Sequence, residues 1–229
     1  MILSRETAYT TPRPDIFALV PLDALAILDV GCSSGELGAS LRQAVNGREV
    51  TGIEISPDYC ALAADKLDEV ICADMNNFDW HAVASRKSFD CIIFADVLEH
   101  LIDPLRHLVG AAKCLRPDGV IVVSLPNIRH ITAFYSIFVR GTFPQRPRGL
   151  FDNTHLRWFT YGDAVALLAE AGYQVEHCDF NLRVRDRGDG KLNKLVRRVF
   201  APVSGWGPVR EFLAYQFCLR ARHAPRAAN

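Results

Sequence analysis

Ala26-Ile27-Leu28-Asp29-Val30-Gly31-Cys32-Ser33-Ser34-Gly35-Glu36-Leu37-Gly38 reads as a strand, a tight turn and the start of a helix, and the rest of the chain arranges itself around it. Ile27, Leu28 and Val30 make a short apolar run suited to a strand covered on both faces, and Gly31 and Gly35 bracket the turn. Such a turn brings a ligand against bare backbone. Asp29 argues against a phosphate there, because phosphate-cradling loops rely on backbone N–H groups and positive charge. A cationic or zwitterionic ligand suits the site better.

Downstream the same unit repeats. Residues 36–45 read as a helix that Gly47 is placed to end, and residues 49–55 as a second strand stopped by Pro57. In open parallel sheets ligands bind beyond the carboxyl ends of strands, and an acid about 20 residues past the glycine turn suits both ribose hydroxyls. Glu54 is that acid. Residues 57–67 read as a helix and 69–72 as a short third strand. Asp74, just beyond it, is placed to accept from an adenine amino group while Met75 covers the ring face. Residues 76–88 read as a loop with a helical turn.

Residues 89–95 begin the most hydrophobic run of the chain, which ends in the polar cluster Asp96, Glu99 and His100. Asp103 and Pro104 supply an N-cap and a first-turn proline for a helix reaching about Leu115. Residues 116–119 read as a turn and 120–125 as a fifth strand. Strands alternating with helices at this spacing argue for βαβ units, a parallel sheet and right-handed crossovers.

Taken together, the turn around Gly31, the acids Glu54 and Asp74, and the Leu98-Glu99-His100-Leu101 tail resemble class I S-adenosylmethionine-dependent methyltransferases. One letter departs from the commonest first motif, which has glycine where this chain has Ser33. The resemblance implies an α/β, Rossmann-like fold. Its seven-stranded, mostly parallel sheet has the order 3-2-1-4-5-7-6, with the last strand antiparallel, helices on both faces and a lid insertion. It implies S-adenosyl-L-methionine as cofactor and S-adenosyl-L-homocysteine as product. The cofactor contacts it implies are Asp29, Gly31, Cys32, Ser33, Gly35, Glu54, Ile55, Asp74, Met75, Ala95 and Asp96. Residues 173–178, after a helix over 163–171 ended by Gly172, and residues 212–220 are strand-like and complete the sheet.

Additions to this core carry the acceptor. Residues 1–24 read as an N-terminal helical extension, in which Tyr9 and Arg13 either reach the cofactor's carboxylate or belong to a surface tail. Residues 127–160 form an insertion long enough for a lid, with Ile131, Phe134, Tyr135 and Phe138 on one face of a helix. The run Thr154-His155-Leu156-Arg157-Trp158-Phe159-Thr160 resembles one found in bacterial methyltransferases of surface-polysaccharide and secondary-metabolite assembly. Tyr135, His155 and Arg157 are the candidate substrate contacts; for His155 and Arg157 the structural alternative is pinning the insertion to the core. His100 and His155 are the candidate bases, since a histidine titrates near neutral pH. Asp96, Glu99 and His100 also have the spacing of the Glu-x-x-Glu-His cluster of some ubiquinone-pathway and small-RNA methyltransferases, with His155 as a fourth ligand. Aspartate shortens the reach, and no metal is assigned. Residues 181–208 form a basic insertion whose segment 190–200 is amphipathic and suits packing on the domain with its charges solvated, or else contact with a membrane surface or an anionic substrate.

The bulk numbers fit one domain over residues 1–229. With 26 basic and 26 acidic residues there is no global field for nucleic acid. Seven scattered cysteines without a Cys-x-x-Cys pair suit a reducing compartment, and no run has the length of a signal or membrane segment, so a cytoplasmic protein is expected. The expected activity is methyl transfer to a small-molecule acceptor, an oxygen of a sugar or related polar metabolite. The rivals are an NAD(P)-binding Rossmann enzyme, disfavoured because the turn lacks a Gly-x-Gly start, and a catalytically silent methyltransferase-like partner protein. Oligomeric state is left open.

Overall fold

Apolar residues on both sides of alternating strands build the centre of the molecule. The computed structural model describes residues 13–182 and 207–223. Its strands are β1 (Ala26–Val30), β2 (Glu49–Glu54), β3 (Glu69–Cys72), β4 (Phe89–Ala95), β5 (Leu115–Pro126), β6 (Tyr173–Leu182) and β7 (Ala214–His223). Leu28, Val30, Ile92, Phe94, Ile121 and Val123 face one side of the sheet, while Ile27, Cys91, Ile93, Val120 and Val122 face the other. All are buried. Both faces must be covered, which is why these strands read as unbroken apolar runs.

The sheet order is β3-β2-β1-β4-β5-β7-β6, as the resemblance implied. β1 to β5 pair in parallel, and β7 runs antiparallel to both β5 and β6. The helices are α1 (Pro14–Phe17), α2 (Glu36–Ala44), α3 (Pro57–Ala64), α4 (Trp80–Ala84), α5 (Pro104–Ala112), α6 (Ile131–Phe134), α7 (Tyr161–Glu170) and α8 (Gly207–Leu213). Ile16, Leu37, Leu41 and Ala63 bring α1, α2 and α3 onto one face; Trp80, Val83, Leu108, Ala111, Ala164 and Leu168 bring α4, α5 and α7 onto the other. Thr160 and Asp163 cap α7 reciprocally, so this helix starts at a fixed residue. None of the helices among the described residues is long and apolar enough to cross a membrane. Tyr9 and the basic segment 190–200 lie outside the described residues.

Three local readings are revised. β5 starts at Leu115: β4 advances from Phe89 to Cys91 while β5 advances from Leu115 to Val120, so the expected turn residues are looped out at a register jump. β7 starts at Ala214, because Phe212 and Leu213 belong to the preceding α8. The single apolar face through residues 131–138 does not form. α6 stops at Phe134 and Tyr135–Val139 is π-helical, and the wider turn leaves Tyr135 and Phe138 52% and 74% exposed while Ala133 and Ser136 point inward.

Candidate active site

The carboxyl ends of β1, β2 and β4 open into a cavity of about 610 Å³. Asp29, Gly31, Cys32, Ser33, Glu54, Ile55, Asp74, Met75, Ala95, Asp96, His100 and His155 all line it. Gly35, Tyr135 and Arg157 do not. Gly35 begins α2 at φ +78°, and a Cβ there would lie 3.2 Å from the Cα of Ala63, so its service is to let α2 and α3 approach. Tyr135 is turned outward by the π-helical turn. Arg157 is exposed and donates from Nη2 to the carbonyl of Ile102, the pinning role foreseen as its alternative.

At one end of the cavity the backbone is shaped for close approach. Gly31 has φ +72°, and a Cβ would come within 2.6 Å of Val97. Ser33 is left-handed too, at φ +50°. That conformation costs a serine about 1–2 kcal/mol. Glu54 offsets it: Oε2 accepts from the Ser33 N–H and Oε1 from the Ser56 N–H, each at 2.9 Å, and hydrogen bonds to a charged group are worth about 1.5–3 kcal/mol. A carboxylate at the end of the adjacent strand β2 thus makes the irregular serine tolerable. Asp29 is 2% exposed. Burial, with Glu54 adding and Arg13 opposing, raises its carboxyl to about 7. A cation placed beside it favours the ionised form. Asp74 accepts from the Asn76 N–H at 2.9 Å and caps a short 3-10 turn, which fixes Met75 below the cavity wall.

The other end is assembled from distant segments. Asp96 stands at φ +58° and accepts from Arg13 Nη1 at 2.7 Å, Ser124 Oγ at 2.8 Å and Gln216 Nε2. Arg13 also grips Asp15 through two bonds of 3.0 Å. Burial works against its charge, but Asp96 and Asp15 overcome this and hold the guanidinium firmly protonated, while Asp15 falls to about 2 despite its own burial. Arg13 is therefore neither a solvent side chain nor an open hand: two carboxylates occupy it.

Glu99, His100 and His155 meet with one ligand atom from each within 4.8 Å of the others. Glu99 is 1% exposed, and neither carboxylate oxygen has a hydrogen-bond partner among the described residues. Burial, reinforced by Asp96, pushes it well above the usual carboxylate range. Burial and then His100 lower His155, whose buried Nδ1 is also unpartnered. Asp96 does not join this cluster, because its oxygens are taken by Arg13, Ser124 and Gln216.

The tautomer of His100 follows from its neighbours. Thr154 donates its hydroxyl proton to Asp152 Oδ1 at 2.6 Å. Toward His100 Nδ1 it then only accepts, as does its own carbonyl, both at 3.2 Å. Nδ1 carries the proton and Nε2 keeps its lone pair.

Ser124, Arg148, Asp152, Thr154, Tyr215 and Gln216 bound or brace this end, and sequence reasoning gave none of them a role there. Thr154 had a signal, its place beside His155. Asp152 had one too, in the same run of His, Arg and Asp beside aromatics, whereas Ser124, Tyr215 and Gln216 had none, since β5 and β7 reach the cavity only through the sheet order.

Comparison with known proteins agrees with this geometry. The family described as methyltransferase domain matches residues 6–178. A ubiquinone biosynthesis O-methyltransferase of Cereibacter sphaeroides is 28% identical over 162 residues, 69% of this chain and 64% of that protein. The match thus spans less than two thirds of that relative's length. One from Hydrogenovibrio crunogenus is 29% identical over 177 residues, 71% of each chain. Among solved structures, the magnesium protoporphyrin IX methyltransferase of Synechocystis PCC 6803 with bound S-adenosylhomocysteine superposes with a TM-score of 0.62 at 16% identity. It covers 92% of this chain and 81% of its own.

Proposed function

The chain belongs to the methyltransferase-domain family, and on that premise we propose that it transfers a methyl group from S-adenosyl-L-methionine to a hydroxyl oxygen of a small-molecule acceptor. The observation that carries this reading is one cavity with a glycine turn and three strand-end acids at one end and a base-bearing cluster at the other. Asp29, Gly31, Cys32 and Ser33 are assigned to the methionyl part, Glu54 and Ile55 to the ribose, and Asp74 and Met75 to the adenine. Ala95 and Asp96 mark the boundary with the acceptor. The bound cofactor supplies an already activated methyl group. What remains for the chain is to align the acceptor, exclude water and receive a proton, and the lone pair on His100 Nε2 is suited to the last task.

The named relatives are O-methyltransferases, which supports oxygen as the acceptor atom. Within that class we propose a sugar or similarly polar metabolite, of the kind handled in bacterial surface-polysaccharide or secondary-metabolite assembly. The polar side chains His100, Arg148, Asp152, Thr154, His155 and Gln216, which line the cavity beside Leu101, Pro147 and Tyr215, support that reading. We treat the chain as one domain, with residues 127–160 as the lid, and its seven free thiols support a cytoplasmic setting.

A second reading has its own observation. The buried, unpartnered Glu99 carboxyl beside two imidazoles is a donor set suited to a divalent cation, which would supply Lewis-acid activation of the acceptor hydroxyl.

Calorimetry with S-adenosylhomocysteine and NAD(H), followed by labelled methyl transfer to a panel of sugars and phenols with and without EDTA, tests both readings. Binding of S-adenosylhomocysteine and label on a hydroxyl are expected. Cofactor binding without transfer to any acceptor would indicate a silent module, and full turnover by metal-stripped protein would remove the cation.

A further inference from the structure

We propose that Arg148 forms a subsite for an anionic group, such as a carboxylate, carried by the acceptor. The inference rests on the methyltransferase reading of the cavity and adds a chemical class to the acceptor.

Two guanidinium groups line the cavity, Arg13 and Arg148. Arg13 is spent on Asp15 and Asp96. Arg148 is half-buried and has no hydrogen-bond or carboxylate partner among the described residues. A guanidinium partly withdrawn from water and left unpaired is at a disadvantage that an incoming anion relieves, and its planar fork matches a carboxylate through two parallel bonds.

The loop that carries Arg148 is held in place. The Arg146 N–H donates to the Phe151 carbonyl at 2.9 Å, the Asp152 N–H to Gly149 at 2.9 Å and the Asn153 N–H to Arg146 at 2.8 Å. Leu150 and Phe151 are 2% and 3% exposed and pack with Tyr215, whose hydroxyl accepts from the Leu150 N–H at 3.0 Å. The cation is thus presented by a braced turn on the same segment that brings Thr154 and His155 to the cavity.

The surrounding charges leave this role open. Asp96 is neutralised by Arg13. Asp152 accepts from the Thr154 backbone and hydroxyl and makes no ion pair with Arg148.

The cofactor also has a carboxylate, and the test must separate the two sources. Full-length protein loaded with S-adenosylhomocysteine is titrated with benzoate and with neutral benzamide by ligand-observed NMR, for the native chain, Arg148→Gln and Arg148→Lys. The native chain is expected to prefer benzoate by about tenfold, the scale of one charge-assisted contact. Arg148→Gln should lose that preference and Arg148→Lys keep part of it, with S-adenosylhomocysteine affinity unchanged in both. A native chain without preference, or an Arg148→Gln chain that retains it, overturns the proposal. So does loss of S-adenosylhomocysteine affinity in Arg148→Gln, which would give the guanidinium to the cofactor's carboxylate. If the native chain does not bind S-adenosylhomocysteine, the methyltransferase reading falls by itself, and the benzoate comparison on unloaded protein still decides the fate of Arg148.

Discussion

At the end of the cavity assigned to the cofactor, Ser33 and Ser56 are tied to Glu54 within one short stretch of chain, and the backbone supplies most of the shape. At the end assigned to the acceptor, His100 leans on Thr154, 54 positions away, and Asp96 on Gln216, 120 positions away. At the first end the Glu54 and Asp74 carboxylates accept from backbone N–H groups. The second keeps a buried carboxyl and an imidazole nitrogen without partners. Unmet buried polar groups are costly in a resting fold, so their concentration at one end marks where a reacting partner is expected.

If the two ends do separate jobs, substitutions should separate them too. Replacing both imidazoles (His100→Ala with His155→Ala) is expected to lower kcat by about 10²–10⁴-fold, the range of a general acid–base group, with little change in S-adenosylhomocysteine affinity. An equal loss of affinity would merge the two ends.

Asp29 offers a test by pH. Its folded value of about 7 lies above its ordinary 3.8. Between those values the folded chain holds a proton that the unfolded chain has lost, so the stability present below the lower value drains away as pH rises through the upper one. Asp29→Asn removes that slope, and denaturant melts should show the variant gaining up to about 4 kcal/mol over the native chain by pH 8. A difference that does not vary with pH would mean that Asp29 stays charged in the fold.

Glu54→Ala should weaken S-adenosylhomocysteine by about 1.5–3 kcal/mol in calorimetry, with kcat at saturating cofactor nearly intact. A kcat loss exceeding the affinity loss would show that the turn also shapes the acceptor end. Smallest of all, Thr154→Val should lower kcat by about three- to tenfold and release His100 to its other tautomer, visible in imidazole ¹⁵N spectra. Thr154→Ser should restore both, and an unchanged spectrum would cut Thr154 out of the arrangement.

The same contrast explains what could be read without coordinates. β3 has the expected bounds, and β1, α2 and Glu54 lie where local patterns place them, since strand periodicity, Gly31 and Pro57 act over a few residues. Asp29, Glu54 and Asp74 were legible because strand order puts consecutive strand ends side by side. Gln216, Ser124 and Arg148 were not, because nothing near them in sequence says that β7 lies against β5 or that a turn after Arg146 closes over Tyr215. Arg13 was half-legible: its chemistry was anticipated, but Asp15 and Asp96 hold it instead of a ligand. Tyr135 was misplaced by a single π-helical turn, which no periodicity rule anticipates.

The donors that hold Asp96 have a consequence in time. They come from residues 13, 124 and 216, and the last of them sits on β7, made after β1 to β6. A ribosome releases the chain from its N-terminus, and contacts between distant residues form late because a long loop must close first. The partners of Glu54 and Asp74 all precede β7 in the chain. Until β7 docks between β5 and β6, the cavity lacks the Tyr215 and Gln216 side of its wall, so that end is the last to be completed.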